Sequence, residues 1–436
     1  MRLVIVSEKW DASEKSAASL CGSRITRCSW AAIAIGGGEY PRELTEPIGA
    51  VFYRVGKGTA LAEQIAQWTK DQPTHAVIEI SDSGYYELLL KDALQIASGK
   101  SLQIRAAKKA RPVIELNDKP EGARNSFAFS GEPGSRLTLD GLLIFGCAVA
   151  IDGPAPDAQA TESACPFEVV IRHCTLVPGL SFDHDCHDAD DGECDCEVSD
   201  CEKPSLELIN VNGCVTIERS IIGTIRVEQD VVATEPLPIT IRDSIVDCAH
   251  HEGEPTAKEG DDFDAHHAIF SKYCGHIAHA VLRLARCTIF GWVRAHAIVA
   301  ADDCIFTDRI QVARRQLECM RYCYAPPESR TPHRYQCQPE RAVRALAAAS
   351  DTPLTPADEE RERARVVPQF AARRFGNTDY ARLAQTCAEE IRRGAEDESE
   401  MGVFHDLYDP QRADNLRTRL AEFVPADSEA SVLLVT

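Results

Sequence analysis

The stretch DHDCHDADDGECDCEVSDCE, residues 183–202, holds ten carboxylates, four cysteines and two histidines, with no Lys or Arg. Thiolate and imidazole groups are the ligands that zinc prefers, and four of them complete a structural site. Six candidate ligands lie in this stretch: His184, Cys186, His187, Cys194, Cys196 and Cys201. Their C-x7-C-x-C-x4-C spacing differs from the C-x2-4-C pairs of zinc fingers. Two interpretations stay open: a zinc site, or a solvated loop whose carboxylates repel one another.

A second acidic group follows in GDDFDAHHAIF, which contains Asp261, Asp262, Asp264, His266 and His267. Paired carboxylates cleave glycosidic bonds when one protonates the leaving oxygen and the other activates water. The Gly-His-Gly and Arg-x-Lys motifs that accompany such carboxylates in polygalacturonases do not occur in this chain. The alternative is a polar insertion loop, and the sequence assigns a catalytic role to no residue.

A third set of candidate ligands is Cys319, Cys323, His333 and Cys337. Zinc bound here could hold together a segment that has few apolar residues of its own. The alternative is that the cysteines act as small buried apolar residues. A basic group overlaps this region, and it marks either a docking surface or a set of local ion pairs; its members are Arg314, Arg315, Arg321, Arg330 and Arg334.

Composition limits the function further. The 436 residues include 47 Lys and Arg against 68 Asp and Glu, a formal charge of −21. Such a chain lacks the basic face that nucleic-acid binding needs. The N-terminus has four consecutive apolar residues, too few for a secretory signal, and no apolar run is long enough to span a membrane. We therefore expect synthesis in the cytoplasm, no membrane partner, and thiols rather than disulfides for the 18 cysteines.

The elements that must position these groups form a repeat. Five segments, RHCTLVPG, ERSIIGTI, RDSIVDC, ARCTIFGWV and DDCIFTDRI, share a polar residue, a small residue and two or three residues that are apolar or Thr. The small residues are Cys174, Ser220, Ser244, Cys287 and Cys304, separated by one or two units of roughly 20 residues. One unit, residues 205–229, shows three short strands joined by tight turns. The pattern predicts an all-β main domain, a right-handed parallel β-helix of about eight to ten coils, with an internal Cys/Ser ladder.

The pattern divides the chain into four parts. Residues 1–73 are an N-terminal segment ending in a capping helix that begins near Thr59 and buries Leu61, Ile65 and Trp68. Residues 74–318 form the β-helix, and residues 319–340 close its far end. Residues 341–436 form a small helical module that ends in a possible strand, SEASVLLVT, and an exposed apolar tail.

Residues 78–116, IEISDSGYYELLLKDALQIASGKSLQIRAAKKARPVIEL, resemble the opening coils of pectin-lyase-like β-helix proteins. The segments VARRQLECMRYCYAPPESRTPHRYQCQP and AEEIRRGAEDESEMGVFHDLYDPQRADNLRTRLAEF resemble uncharacterised bacterial β-helix proteins associated with phage-tail-like contractile injection systems. The resemblance implies a fold and a particle association, and it assigns no reaction to any residue.

We therefore predict a structural or adaptor protein that needs no cofactor and docks on other proteins through its C-terminal module. Zinc is the one candidate metal. The alternative is an enzyme that binds or cleaves polysaccharide, a glycoside hydrolase or a polysaccharide lyase. That alternative requires carboxylates and aromatic rings aligned on adjacent coils, whereas the predicted outward positions mix Arg, Glu, Asp and Thr.

Overall fold

A computed structural model describes residues 2–6, 42–56, 59–89, 92–116, 126–153, 167–180, 204–229, 235–248, 267–271, 277–377, 379–411, 415 and 431–435. The described chain confirms the predicted β-rich fold with a small helical part. Its strands stack in parallel register as three ladders, which we name sheets A, B and C.

Each turn of the chain contributes a long strand to sheet A, a short strand to sheet B and a strand to sheet C. The strands of sheet A are Val51–Val55, His75–Ile80, Ser101–Ala106, Arg136–Asp140, Phe167–Arg172, Gly213–Glu218, Leu237–Arg242, Ala278–Ala285, the second half of Trp292–Asp302, Cys319–Arg321 and His333–Tyr335. Those of sheet B are Tyr85–Leu88, Val113–Leu116, Leu143–Phe145, Thr175–Leu176, Ile221–Ile222, Ile245–Asp247, Thr288–Phe290 and Ile305–Phe306. Those of sheet C are Leu94–Ile96, Ser126–Gly131, Ala148–Asp152, Leu206–Ile209, Ile225–Glu228, His267–Phe270, the first half of Trp292–Asp302 and Ile310–Arg314.

Within the described residues, eight turns supply all three sheets, and two shorter turns follow them. Alternation along each strand puts one set of side chains inside, so that equivalent apolar residues stack from turn to turn. In sheet A, for example, Ile104, Leu139, Ile171, Ile217 and Ile241 occupy one inward column, and none of them is exposed. The parallel β-helix therefore has one continuous core.

From strand Phe167–Arg172 onward, the corner between sheets A and B is a two-residue turn, and it explains the repeated Cys or Ser. The first residue of the turn has a φ near +50° in His173, Arg219, Asp243, Arg286, Asp303, Tyr322 and Gln336. The second residue is Cys174, Ser220, Ser244, Cys287, Cys304, Cys323 or Cys337, and its side chain is buried. Each of these sulfur or hydroxyl atoms donates to the carbonyl two residues earlier, for example Ser220 Oγ to Glu218 O at 2.8 Å.

The same atoms accept N–H groups from the neighbouring turn. Ser220 Oγ accepts from Cys174 N at 3.1 Å, Ser244 Oγ from Ser220 N at 3.1 Å, and Cys323 Sγ from Cys304 N at 3.3 Å. The predicted internal ladder is thus confirmed, and it continues through Cys323 and Cys337 beyond the five residues of the sequence pattern. A small side chain that both donates and accepts fits this buried corner, whereas a larger polar one would not.

Helix α1, Leu61–Asp71, packs Leu61, Ile65 and Trp68 into the core beside the first strands, as predicted. Its N-cap is Ala60 rather than the predicted Thr59. Thr59 is instead the last residue of a tight turn, where its N–H donates to Gly56 O at 2.9 Å. The strand before the helix, Val51–Val55, already belongs to sheet A, so the β-helix starts within the segment 1–73.

The closing segment, residues 319–340, continues the β-helix: its two strands pair in parallel with sheet A. Arg334 occupies the inward column next to Met320, at the last turn of the β-helix. An apolar residue here could not donate hydrogen bonds to the carbonyls of that turn. The guanidinium of Arg334 donates to Pro326 O at 2.9 Å and to Ala325 O at 3.3 Å, and it pairs with Glu340. Arg334 therefore covers the far end by satisfying carbonyls that lack a further coil.

The C-terminal part contains helices α2, Glu340–Ala349, α3, Pro356–Arg365, and the single turn α4, Glu389–Arg392. The remainder of 366–377 and 379–411 has little regular structure and lies on the outer face of sheet B; we call it the strap. The strand expected at the C-terminus, Ser431–Val435, is present and pairs in antiparallel register with Arg2–Val6.

Candidate functional site

The acidic Cys/His stretch lies outside the described residues, and with it all six candidate zinc ligands. The chain enters it after strand Thr175–Leu176 and leaves it before strand Leu206–Ile209, so it connects sheet B to sheet C within one turn. Asp261, Asp262, Asp264 and His266 also lie outside the described residues, and the chain between strands Ile245–Asp247 and His267–Phe270 makes the same connection two turns later. The zinc and carboxylate hypotheses remain predictions from sequence.

His267 is the one member of these candidate sets that the structure describes. Its ring is buried beside Phe270 and Trp292, at centroid distances of 5.6 and 6.0 Å. Arg294 and Arg309 lie over the ring of Trp292, at 5.3 and 5.6 Å from its centroid. The indole of Trp292 thus makes cation–π contacts with two arginines of the same chain.

The structure separates the third candidate set. Cys323 and Cys337 are buried members of the corner ladder, whereas Cys319 and His333 are paired neighbours on the outer face of sheet A. Thiols inside the corner and groups outside the sheet cannot share one metal, because the backbone lies between them. Among the described residues, no three His, Cys, Asp or Glu side chains are arranged to hold a metal ion.

The basic group makes mainly local contacts. Arg321 pairs with Asp302 at 2.7 Å, Arg315 donates to Thr331 O at 2.9 Å, and Arg334 closes the last turn as described above. Arg330 donates to Ala313 O at 3.4 Å, and Arg314 is exposed. Of the two interpretations from sequence, these contacts favour the local one.

The outer face of sheet A carries a column of alternating charge at the last or next-to-last position of its strands. Paired neighbours along the column are Arg54, Glu79, Arg105, Asp140, Arg172, Glu218 and Arg242, and after Ala285 come Asp302 and Arg321. Arg105 pairs with Glu79 at 2.7 Å, and Arg172 pairs with Asp140 at 3.0 Å. The column stabilises the coil register, since a slip by one coil would bring like charges together.

The strap packs its apolar residues against the outer face of sheet B. The strap packs Tyr380, Val403 and Phe404 against Ile221, Ile245 and Phe290, the outward residues of three sheet B strands. A second apolar group joins Ile391 and Met401 to Ile305 and Tyr324. The outer face of sheet B is thus an internal interface of the protein.

Asp303, at a corner of the β-helix, anchors the strap twice. Its carbonyl accepts Gly402 N–H at 2.7 Å, and its carboxylate accepts Glu396 N–H at 3.0 Å. Val403 N–H, next along the strap, donates to Thr288 Oγ1 at 3.1 Å. Gly402 has a φ of 87°, and a Cβ placed there would lie 2.6 Å from Thr288 Oγ1. This close approach explains why the strap carries glycine at residue 402.

His405 lies in the centre of an acidic cluster beside this anchor. Its Nε2 is 3.3 Å from Asp397 and 3.9 Å from Asp303, and its Nδ1 is 3.2 Å from Asp406. Burial opposes a charged imidazole, but the hydrogen bond with Asp406 and the charges of Asp397 and Asp303 raise the pKa of His405 above its ordinary value. Burial also raises the pKa of Asp303 to about 6.

Glu400 is 8% exposed and lies close to the same cluster. Burial, with the nearby charge of Asp409 acting in the same direction, raises the pKa of Glu400 to about 8. Arg382, which could neutralise it, pairs with Asp409 at 2.6 Å. At neutral pH Glu400 is therefore mostly an uncharged carboxylic acid.

The contacts of this cluster hold the strap on the β-helix. Both ring nitrogens of His405, a strap residue, face carboxylates, and its ring is buried where the strap meets the β-helix. No sequence motif marked Asp303, Asp397, Glu400, His405 or Asp406 as candidate site residues. The repeat nevertheless indicated that this face is covered. The residue after the ladder position faces outward, yet it is apolar in three turns, as Ile221, Ile245 and Ile305.

Among the described residues, no helix is both long and apolar enough to cross a membrane. No protein-family model matches this chain, and no curated protein matches it. What the structure establishes is a parallel β-helix whose outer sheet B face is covered by its own C-terminal strap.

Proposed function

We propose that this protein is a rigid structural or adaptor element that docks on a larger protein assembly. The observation that supports this best is the charge column of sheet A. Three of its carboxylates, Glu79, Asp140 and Asp302, each pair with an arginine of a neighbouring coil. Polar groups that an enzyme would direct at a substrate are used here to hold the coils together.

Helices α2 and α3 supply the docking element of this proposal. They pack on each other directly after the last turn of the β-helix. No residue of α3 is buried, and in α2 only Ala342 is. Ala345 and Ala348 are exposed on α2 and offer a smooth surface that a helix or sheet of a partner can approach. A hairpin with so few contacts of its own fits a role in binding another protein.

The proposed assembly is a phage-tail-like contractile injection particle. Support comes from the resemblance of residues 312–339 and 388–423 to β-helix proteins associated with such particles. In the described chain these residues include the last turns of the β-helix and much of the strap. The partners would be tube, sheath or baseplate proteins.

The test is to tag the protein in its native host, isolate it at low salt and identify what accompanies it by mass spectrometry. Tube, sheath or baseplate proteins in stoichiometric amount would support the proposal. A variant with Ala345→Glu and Ala348→Glu should lose them, because it adds two charges to the docking face. Arg283→Glu, on the exposed outer face of sheet A, is the matched control and should keep them. Recovery of the unaltered protein alone would refute the assembly proposal.

A further inference from the structure

The strap carries an arrangement of charge that differs from that of the described coils. The described coils pair carboxylates with arginines, whereas the strap brings Asp303, Asp397 and Asp406 around one imidazole and buries Glu400 beside Asp409. Three carboxylates around His405 repel one another unless the imidazole is protonated. An ionised Glu400 at 8% exposure would add a poorly solvated charge. Packing of the strap on sheet B therefore favours a state in which this cluster holds additional protons.

We propose that residues 396–409 form a proton-dependent clasp, which holds the strap on sheet B when its cluster is protonated and releases the strap as the pH rises. The clasp makes two kinds of contact with the β-helix: apolar contacts through Val403 and Phe404, and hydrogen bonds to Asp303. Release would expose the outward residues of sheet B, Ile221, Ile245 and Phe290. This inference concerns the strap and stands independently of the proposed assembly.

The direction of the pH effect follows from the groups that gain or keep protons on docking. The pKa of Glu400 rises from an ordinary 4.5 to about 8, that of Asp303 rises from 3.8 to about 6, and that of His405 rises above 6.5. A group whose pKa is raised by docking contributes stability below its ordinary pKa and loses that contribution as the pH rises through the raised value. Above pH 4.5 these three groups all act in the same direction.

The other charged groups around the cluster do not reverse this direction. The pKa of Asp397 is lowered: burial opposes this, but the side chain and backbone of Ser399 donate to the carboxylate, and its effect is confined to pH values below its ordinary 3.8. Arginines face the rim of the cluster, and these remain charged throughout the range. The remaining groups that act on His405, Asp303 and Glu400 are Asp302, Cys304, Arg382, Arg392, Asp406 and Asp409. Arg286, which pairs with Asp243, lies 3.8 Å from Asp406.

The test is hydrogen exchange of the whole protein followed by mass spectrometry between pH 5.5 and 9, with rates expressed as protection relative to the unprotected peptide. Glu400 alone predicts a loss of protection in the strap on the order of 50-fold between pH 6 and pH 8. Peptides from sheet A should keep a protection that does not depend on pH over this range. A strap whose protection is equally constant would overturn the proposal.

Two variants identify the proton carriers. Glu400→Gln keeps the shape and removes the titration, so the slope between pH 6 and pH 8 should largely disappear. Glu398→Gln, an exposed residue two positions earlier, is the matched control and should keep the unaltered slope. If Glu400→Gln together with Asp303→Asn and His405→Gln retains the slope, the cluster does not control the strap and the proposal fails. If that triple variant never docks, the pH profile of the unaltered protein decides.

Discussion

Replacing Ser220 by alanine removes one rung of the corner ladder without disturbing the apolar core. The Ser220 side chain is fully buried, and its hydroxyl accepts Cys174 N–H at 3.1 Å and donates to Glu218 O at 2.8 Å. Glu218 O also accepts His173 N–H at 3.0 Å, so this carbonyl keeps a partner in the variant. Cys174 N–H, by contrast, loses its acceptor in the variant. A buried donor without an acceptor costs about 1–3 kcal/mol, and a tenfold change in an equilibrium is about 1.4 kcal/mol.

The local opening equilibrium at Cys174 should therefore shift by about 5- to 150-fold in Ser220→Ala, which hydrogen exchange of the peptide around Cys174 can measure. Local exchange suits a solenoid better than global unfolding does, because coils interact mainly with their neighbours. Ser220→Cys is the matched control, since cysteine occupies this rung in other turns, where Cys304 Sγ accepts Cys287 N–H at 3.5 Å. It should remain within about threefold of the unaltered protein. Equal exchange in the alanine variant and the unaltered protein would refute this account of the ladder.

Three further changes test other parts of the structure. Gly402→Ala places a Cβ 2.6 Å from Thr288 Oγ1 and should reduce strap protection at least about tenfold, while unchanged protection would show that the approach is relieved at no cost. Arg334→Met suits the inward column but leaves the last carbonyls without a donor, so exchange in residues 319–338 should accelerate; slower exchange would contradict the role of Arg334. Asp140→Asn leaves the two arginines that pair with this buried carboxylate without their partner and should cost about 3–5 kcal/mol in chemical unfolding; a loss below about 1 kcal/mol would contradict it.

The β-helix could be predicted because its repeat is local. Each aligned segment has a polar residue, then Cys or Ser, then apolar residues or Thr. In the structure the polar residue has a positive φ, the Cys or Ser is the ladder residue, and the residues after it form the sheet B strand. Sequence reasoning ended the β-helix at residue 318, although strands Cys319–Arg321 and His333–Tyr335 continue it. These strands have three residues each and include inward Arg334, so their period of two is too short to be recognised.

The strap could not be predicted from helical periodicity. The segment around residues 379–397 has the composition of a helix, yet within the described residues only Glu389–Arg392 is helical there. Its backbone hydrogen bonds are made with the corners of the β-helix instead, including Gly402 N–H to Asp303 O. Partners that lie about a hundred residues away in the chain leave no local pattern, because the contact depends on two surfaces whose positions only the fold determines.

The repeat nevertheless contained evidence that one face would be covered. A strand on the surface of a solenoid should alternate apolar and polar residues, and sheet A does so with its column of charges. Sheet B places Ile221, Ile245 and Ile305 outward, where solvent would make each of them unfavourable by roughly 1.5–3 kcal/mol relative to burial. Such a face requires a cover, and the strap is the part of the chain that provides it. The apolar contacts of the strap do not titrate, whereas the polar anchor at Asp303 does. The stability of the packed strap should therefore depend on pH, and that of the β-helix core should not.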